Sequence, residues 1–316
     1  MPTARLLRAF TSASARVRER GYAIVDDALD VAHARALREE MSTLRARGTF
    51  RANETLFVDA STSTTKALVK TGIEECEYHA LRAEDASAAP RVGAFAQSWV
   101  TEGLNAAMGW GDDATRRLTR SMVKMQINQG RGACFPLHFD SDASIDSRRM
   151  TMLAYLNEGW TRGDGGELVI YPFPEKEIVV EPIAGRVVLL SSQFGLHRVL
   201  PSTASERYMF TVWFFAKDTP GSVAAPKPGP NAETQMAALL HPALRKHLCK
   251  LVLAETWARS IEEAHADDQA RASALRTHWS EVEIIGRVLS KNYPLGLEKI
   301  ALDVGDNKLF PPIEWF

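Results

Sequence analysis

The chain contains few cysteines, and they are spread widely along it. Three occur in 316 residues, at Cys76, Cys134 and Cys249. A disulfide framework is therefore not expected, and this usage is typical of a reducing compartment. We expect the cytoplasm or nucleus, with a mitochondrial location as the alternative, because residues 1–18 are rich in Arg and lack acidic residues. We favour a simpler interpretation of that segment, an amphipathic helix packed on the domain.

The chain also lacks a long apolar run and an excess of either charge. No segment approaches the roughly 18 consecutive apolar residues of a transmembrane helix, so no membrane partner is predicted. Its 38 Lys and Arg residues balance 39 Asp and Glu residues, for a formal net charge of −1. Such a chain has no general attraction for nucleic acid. Its length and its 45% hydrophobic content fit one large domain with an appendage, or two domains.

The first part of the chain predicts mainly helices, and the middle predicts strands. A short strand at 22–25 precedes Asp30, a candidate N-cap for a helix with apolar residues every three or four positions. Another helix is expected at 92–108, whereas residues 50–90 have no clear pattern. Short runs rich in Val, Ile, Tyr and Phe then follow between turn residues, at 123–128, 149–157, 167–171, 177–182, 186–191, 197–200 and 207–216.

These runs predict an α+β protein with a mainly β core, an antiparallel sandwich or barrel. Several runs are apolar on both faces, so we expect the early helices to cover one sheet. Residues 1–217 are predicted to form this domain, with its core at 122–216. The prolines within 218–230 indicate a linker, and 231–316 are predicted to be a helical C-terminal region without a catalytic motif.

An HFD segment and a later His carry the main chemical signal. On a strand, residues two apart point to the same side, so His138 and Asp140 converge. His197, from another strand, completes a set of two imidazoles and one carboxylate that suits Fe(II) and leaves coordination positions open. Mn(II) or Zn(II) is expected to substitute. A second HxD at 265–267 lies in a helical pattern, where residues two apart do not share a face, and is interpreted as solvated surface.

Arg207 begins the last predicted strand of the core. Alternation places it on the same face as Thr211. An Arg inside a barrel is costly unless an anion meets it, and a guanidinium matches a carboxylate with two parallel hydrogen bonds. Tyr155, on the run at 149–157, is a candidate to offer its hydroxyl to the same carboxylate. The alternative is a structural ion pair of Arg207 with Glu206 or Glu167.

With these features on one core, the chain resembles the 2-oxoglutarate- and Fe(II)-dependent oxygenases. Within them it resembles the prolyl hydroxylase group, and the oxygen-sensing prolyl hydroxylases in particular. The resemblance covers about residues 122–215. It is carried by MTMLAYLNEGW at 150–160, GGELVIYP at 165–172, the run from 181 to HRVLP at 197–201, and RYMFTVWFF at 207–215.

The resemblance implies a double-stranded β-helix, or jelly roll, with flanking helices. The iron ligands that it implies are His138, Asp140 and His197. The cosubstrate pocket that it implies contains Arg207 and Tyr155 on the distal carboxylate of 2-oxoglutarate, Thr211 and Trp213 on the last strand, and Leu168 as an apolar wall.

The implied activity is hydroxylation of a C–H bond, with O2 and 2-oxoglutarate as cosubstrates, release of succinate and CO2, and ascorbate as a candidate further cofactor. By resemblance, the substrate is a prolyl side chain in a protein or peptide. One alternative is an oxygenase of the same core acting on a small molecule or nucleic acid, although Trp213 stands where nucleic-acid demethylases carry a second Arg. The other is a non-catalytic cupin-like barrel that binds metal or ligand. The C-terminal helices are expected to cover the barrel mouth, to dimerise or to recruit a partner.

Overall fold

The structure is a computed structural model that describes residues 2–59, 64–142, 146–218, 224–265, 267–305, 310 and 313–316. Part of the predicted linker, 219–223, lies outside the described residues. The helices are α1 (Pro2–Arg20), α2 (Val31–Ala46), α3 (Ala83–Ala86), α4 (Pro90–Ala94), α5 (Ser98–Met108), α6 (Ala232–Leu240), α7 (Pro242–Val252), α8 (Ala254–Ala264), α9 (Asp268–Asn292) and α10 (Pro294–Gly305). The strands are β1 (Tyr22–Val25), β2 (Arg51–Asp59), β3 (Thr64–Glu77), β4 (Leu118–Asn128), β5 (Ala133–His138), β6 (Arg148–Tyr155), β7 (Leu168–Tyr171), β8 (Ile178–Val180), β9 (Val187–Ser191), β10 (Leu196–Ser202) and β11 (Arg207–Ala216).

Two sheets of antiparallel strands form the centre of the molecule. The larger sheet has the order β1-β9-β6-β11-β4-β3-β2, and the smaller has the order β5-β10-β7-β8. Apolar side chains of both sheets, including Tyr155, Leu168 and Met209, form one buried cluster. The mixture of helices and antiparallel sheets that the sequence predicts is therefore present, and it fits a jelly-roll core.

The N-terminal helices cover the outer face of the larger sheet, as expected. Leu6 and Phe10 of α1 and Leu37 of α2 belong to the same buried cluster as Phe210 and Phe214 of β11. The alternation of β11 produces this arrangement, because its even-numbered side chains face the helices while its odd-numbered ones face the other sheet. The predicted N-terminal helix packed on the domain is confirmed for the described residues, as α1 (Pro2–Arg20).

One expectation for the segment from 50 to 108 is wrong, and strands are present where the sequence pattern was unclear. The single helix expected at 92–108 is wrong, because the chain forms α4 and α5 with a break at 95–97. At this break the carbonyl of Phe95 accepts a hydrogen bond from Ser121 Oγ of β4, and its ring packs edge-to-face on Phe210 with centroids 4.7 Å apart. Residues 51–77, which had no clear pattern, contribute β2 and β3, which extend the larger sheet.

The C-terminal helices pack on the smaller sheet. Leu137 of β5 and Leu196 of β10 share a buried cluster with Leu239 and Leu248. The Ser260 hydroxyl of α8 accepts a hydrogen bond from the backbone N–H of Leu137 at 2.9 Å. The helical region thus forms a layer on the core. Among the described helices, none combines the length and apolar character that a membrane span requires.

Candidate active site

His138, Asp140 and His197 come together at one end of the smaller sheet. β5 and β10 are paired antiparallel with His138 opposite His197, and their ring centroids are 4.3 Å apart. Asp140 lies two residues after the end of β5, and its Oδ1 lies 3.6 Å from His138 Nε2 and 3.9 Å from His197 Nε2. Two ligands at about 2.1 Å from one ion are at most about 4.2 Å apart, so both distances fit a shared metal ion.

Hydrogen bonds to backbone carbonyls orient both imidazoles. His138 Nδ1 lies 2.8 Å from the Pro136 carbonyl, and His197 Nδ1 lies 2.9 Å from that of Gly195. Since a carbonyl only accepts, each Nδ1 carries the proton and each Nε2 presents a lone pair to the cluster. Burial, with His138 beside it, lowers the pKa of His197 to about 4. This ring is therefore neutral at pH 7, as a metal ligand must be.

The carboxylate of Asp140 is held by a residue that sequence reasoning did not single out as functional. Thr151 Oγ1 of β6 donates to Asp140 Oδ2 at 2.5 Å and lies 2.8 Å from Ser192 Oγ. Burial of Asp140 opposes its ionisation, whereas the hydrogen bond that Thr151 donates favours the charged carboxylate and lowers its pKa. Asp140 is thus an oriented carboxylate with Oδ1 directed at the two imidazoles.

Arg207 lies buried beside Tyr155, with 1% of its surface exposed. Its guanidinium carbon is 5.3 Å from the centre of the Tyr155 ring. Among the described residues, none of its three guanidinium nitrogens has a hydrogen-bond partner, and neither has the Tyr155 hydroxyl. Burial lowers the pKa of Arg207 and raises that of Tyr155 to about 12. Four buried polar atoms without partners at one place are the mark of an anion site.

The suggested structural ion pair does not account for Arg207. Glu206 instead pairs with Arg45 of α2 at 2.7 Å. Within the described chain, no carboxylate lies within ion-pair distance of Arg207, although the charge of Glu167 acts on it. Gly166 lies against the Arg207 side chain, where a Cβ atom would come within 2.8 Å of Arg207 Cδ at a backbone φ of +74°. Glycine is required here because any other residue would both strain the backbone and displace the Arg.

One cavity of about 1100 Å³ contains the metal-binding cluster and extends to Tyr155. Its walls include Leu168 of β7 and the cavity-facing residues of β11, Met209, Thr211 and Trp213. On β6, which lies beside β11, Thr151 contacts Asp140 and Tyr155 contacts Arg207, so the two ends of the site are four residues apart. That separation is roughly 13 Å along a strand. A short dicarboxylic acid fits between them.

Asn128 is a further polar residue at the Arg207 end that the sequence reasoning did not identify. It faces Arg207 across the β4–β11 pair, it is fully buried, and neither atom of its amide has a partner among the described residues. Gln126 and Lys124, two and four residues earlier on β4, line the cavity, so alternation places Asn128 on the same face. Asn128 stands out from other strand residues because it lies opposite Arg207 on the neighbouring strand, and this position is known only from the strand register.

The second HxD does not form a site. His265 follows the end of α8 and is not in a helix, its Nδ1 lies 2.7 Å from the Ile261 carbonyl, and it lines the same cavity. Asp267 instead caps α9 by accepting from the Ala270 N–H. The expectation of a helical, solvated segment is therefore wrong for His265, which is partly buried. Ala266 lies outside the described residues.

Comparisons with known proteins agree with this geometry. Residues 123–215 match the sequence profile of the 2OG-Fe(II) oxygenase superfamily. This part of the chain thus resembles the 2-oxoglutarate- and Fe(II)-dependent oxygenases, a class that uses Fe(II) and 2-oxoglutarate, and it brings His138, Asp140 and His197 together as a candidate metal-binding set. Prolyl hydroxylase EGLN3 of Homo sapiens is 36% identical over 99 residues, which are 30% of this chain and 41% of that protein. The chain therefore spans about two fifths of the length of this curated relative.

Solved structures extend the likeness beyond the core. A prolyl 4-hydroxylase from Phytophthora capsici superposes with a TM-score of 0.74 at 26% identity, over 96% of both chains. A prolyl hydroxylase from Trichoplax adhaerens, solved with a hypoxia inducible factor peptide fragment, has a TM-score of 0.51 at 21% identity and covers 68% of this chain and 92% of its own. The second likeness concerns the fold alone. Together with the profile match, these comparisons show that the chain resembles 2-oxoglutarate/Fe(II) oxygenases, and prolyl hydroxylases among them.

Proposed function

We propose that this chain is an Fe(II)- and 2-oxoglutarate-dependent dioxygenase that hydroxylates a prolyl side chain in a protein or peptide. In this proposal the two sheets form a double-stranded β-helix, residues 1–217 are the oxygenase domain, and 231–316 are a helical region joined to it by a Pro-rich linker. The observation that carries the proposal is a His-Asp-His cluster in a cavity that extends to Tyr155, against which lies the buried Arg207 with no partner among the described residues.

The cluster fits one Fe(II), which His138 Nε2, Asp140 Oδ1 and His197 Nε2 would hold. With 2-oxoglutarate and O2, this metal supplies the oxidation that releases succinate and CO2. The chain itself positions the reactants. Arg207 donates to the distal carboxylate, the Tyr155 hydroxyl adds one hydrogen bond, and the walls around Thr211 exclude water from the cosubstrate.

A prolyl substrate is supported by the size and surroundings of the cavity. A volume of about 1100 Å³ exceeds the need of a five-carbon diacid and leaves room for part of a second molecule. Trp213 and Phe135 offer aromatic surface within it, and pyrrolidine rings pack well on such surface. The relatives named as prolyl hydroxylases, one of them solved with a peptide, support a peptide over a small molecule.

The test is metal-dependent turnover of 2-oxoglutarate by the purified full chain. Succinate formation should require Fe(II) and O2, and mass spectrometry should detect an added oxygen in prolyl peptides. His138→Ala combined with His197→Ala should abolish both succinate formation and stoichiometric metal binding. His247→Ala is the control, because this exposed His of α7 lies outside the cavity. Metal binding without succinate release would instead support a cupin-like binding barrel, and turnover with only small molecules or nucleic acid would support the other alternative.

A further inference from the structure

Lys70 is a buried lysine in the wall of the cavity that the proposed reaction does not use. It lies on β3, 9% of its surface is exposed, and it lines the cavity. Its Nζ is 4.1 Å from the centre of the Phe135 ring, which is 6.3 Å from the ring of His138. The ammonium group is therefore separated from the metal-binding cluster by a single aromatic ring.

The other basic residues with long side chains in this wall have carboxylate partners. Lys124 pairs with Glu75, Lys250 pairs with Glu281, and Arg148 pairs with Asp146 at 2.7 Å. For Lys70, the described part of the chain offers the face of Phe135 but no hydrogen bond or ion pair. Burial, with Lys124 nearby, lowers the pKa of Lys70 to about 8, so the amine is still mostly protonated at pH 7. A buried cation without an anion is unfavourable unless a ligand supplies one.

The position of Lys70 favours an anion that arrives with the substrate. β3 pairs with β4 only from Ile73 onwards, so Lys70 lies beyond that pairing, at Phe135 of the smaller sheet. His265 lines the same cavity. Burial lowers the pKa of His265, and the positive charge of Lys70 lowers it further. This part of the wall is thus made by the β2–β3 hairpin, by β5 and by the turn after α8. The two carboxylates of 2-oxoglutarate already have proposed partners, in the metal and in Arg207.

We propose that Lys70 binds the side-chain carboxylate of an Asp or Glu near the hydroxylated prolyl residue, and so selects acidic peptides. This inference rests on the proposed function. An extended peptide rises about 3.3 Å per residue, so the acidic residue is expected within about three positions of the prolyl. The flat face of Phe135 contacts the ammonium from one side, and within the described part of the chain its N–H groups remain available to donate to a ligand.

The experiment measures peptide binding to the full chain loaded with Mn(II) and 2-oxoglutarate. The probes are fluorescein-labelled prolyl peptides that each contain a single Glu, placed at one of the three positions before or after the prolyl residue. Each Glu peptide is compared with a peptide that has Gln at the same position. We expect at least one Glu peptide to bind about tenfold more tightly than its Gln partner, since removing one member of a buried charge pair has an effect of this order or larger. Lys70→Met should abolish this preference, whereas Lys70→Arg should retain most of it.

Lys217→Met is the matched control, because Lys217 is exposed and outside the cavity. Equal binding of Glu and Gln peptides by the wild-type chain would overturn the proposal. So would a preference that survives in Lys70→Met. A Lys70→Met chain that needs much more 2-oxoglutarate would assign Lys70 to the cosubstrate, which also overturns it. Succinate formation without peptide is measured in parallel, so a failure of the proposed function is seen separately from a failure of this inference.

Discussion

The strongest prediction concerns the guanidinium of Arg207. Replacing it with Ala removes both charge-assisted hydrogen bonds to the distal carboxylate of 2-oxoglutarate and leaves that carboxylate in a pocket that water reaches poorly, since Arg207 is 1% exposed. Truncating one partner of a buried charge pair costs about 2–5 kcal/mol. The half-saturating concentration of 2-oxoglutarate should therefore rise roughly thirtyfold or more.

Two further variants test the geometry of the same anchor. Arg207→Lys should recover only part of the loss, because an ammonium cannot donate two parallel hydrogen bonds. Tyr155→Phe should cost less, on the order of 1 kcal/mol, because one hydrogen bond is lost and the ring remains. Neither side chain belongs to the metal-binding cluster, so metal binding should be nearly unchanged in all three variants.

The assay is succinate formation as a function of 2-oxoglutarate concentration, with and without prolyl peptide, on variants whose thermal unfolding matches the wild type. Removing an unpaired buried charge should not by itself destabilise the fold, so Arg207→Ala is expected to be folded. An unchanged concentration dependence in Arg207→Ala would refute the assignment of the cosubstrate site. It would also remove most of the argument for a working dioxygenase over a metal-binding barrel.

Two other predictions follow from the site and the helical layer. Thr151→Val keeps the side-chain shape but removes the hydrogen bond to Asp140 Oδ2, so metal affinity measured by titration should fall about 10–100-fold; unchanged affinity would show that Thr151 does not orient the carboxylate. A chain ending near Thr219 should keep its 2-oxoglutarate affinity if it folds, because the proposed cosubstrate residues precede that point, but it should unfold at a lower temperature because Leu137 and Leu196 lose their helical cover. A folded truncation that cannot bind 2-oxoglutarate would show that the helices complete the site.

The sequence singled out the candidate residues at the centre of the site and, through the resemblance, Leu168, Thr211 and Trp213 in its walls, but not Asn128 or Lys70. His138, Asp140 and His197 could be identified from the sequence because their chemistry and spacing fit a metal. Arg207 could be identified because a charge on a core strand needs a partner. Asn128 and Lys70 could not be identified from the sequence, because an Asn or Lys on a strand indicates no particular role until the neighbouring segments are known. Their significance depends on pairing between distant segments.

The same difference applies to the helices and strands: features set by residues close in sequence were predictable, and features set by distant residues were not. Asp30 as an N-cap was predictable, since its carboxylate accepts from the Ala32 N–H only two residues away. The break between α4 and α5 depends on Ser121 and Phe210, far along the chain. The β2–β3 hairpin has a register irregularity between Ala52 and Glu54, which disrupts the simple alternation that reveals a strand.

Side chains on β10 alternate between the cavity and the C-terminal helices, so the strand connects the helical layer to the metal-binding cluster. His197 points into the cavity, and its buried neighbour Arg198 forms an ion pair with Glu263 of α8. The same helix contacts the backbone of Leu137, next to His138, through Ser260. Both imidazoles therefore sit one residue from an attachment point of α8. Displacing this helix would therefore remove a contact next to each imidazole at the same time.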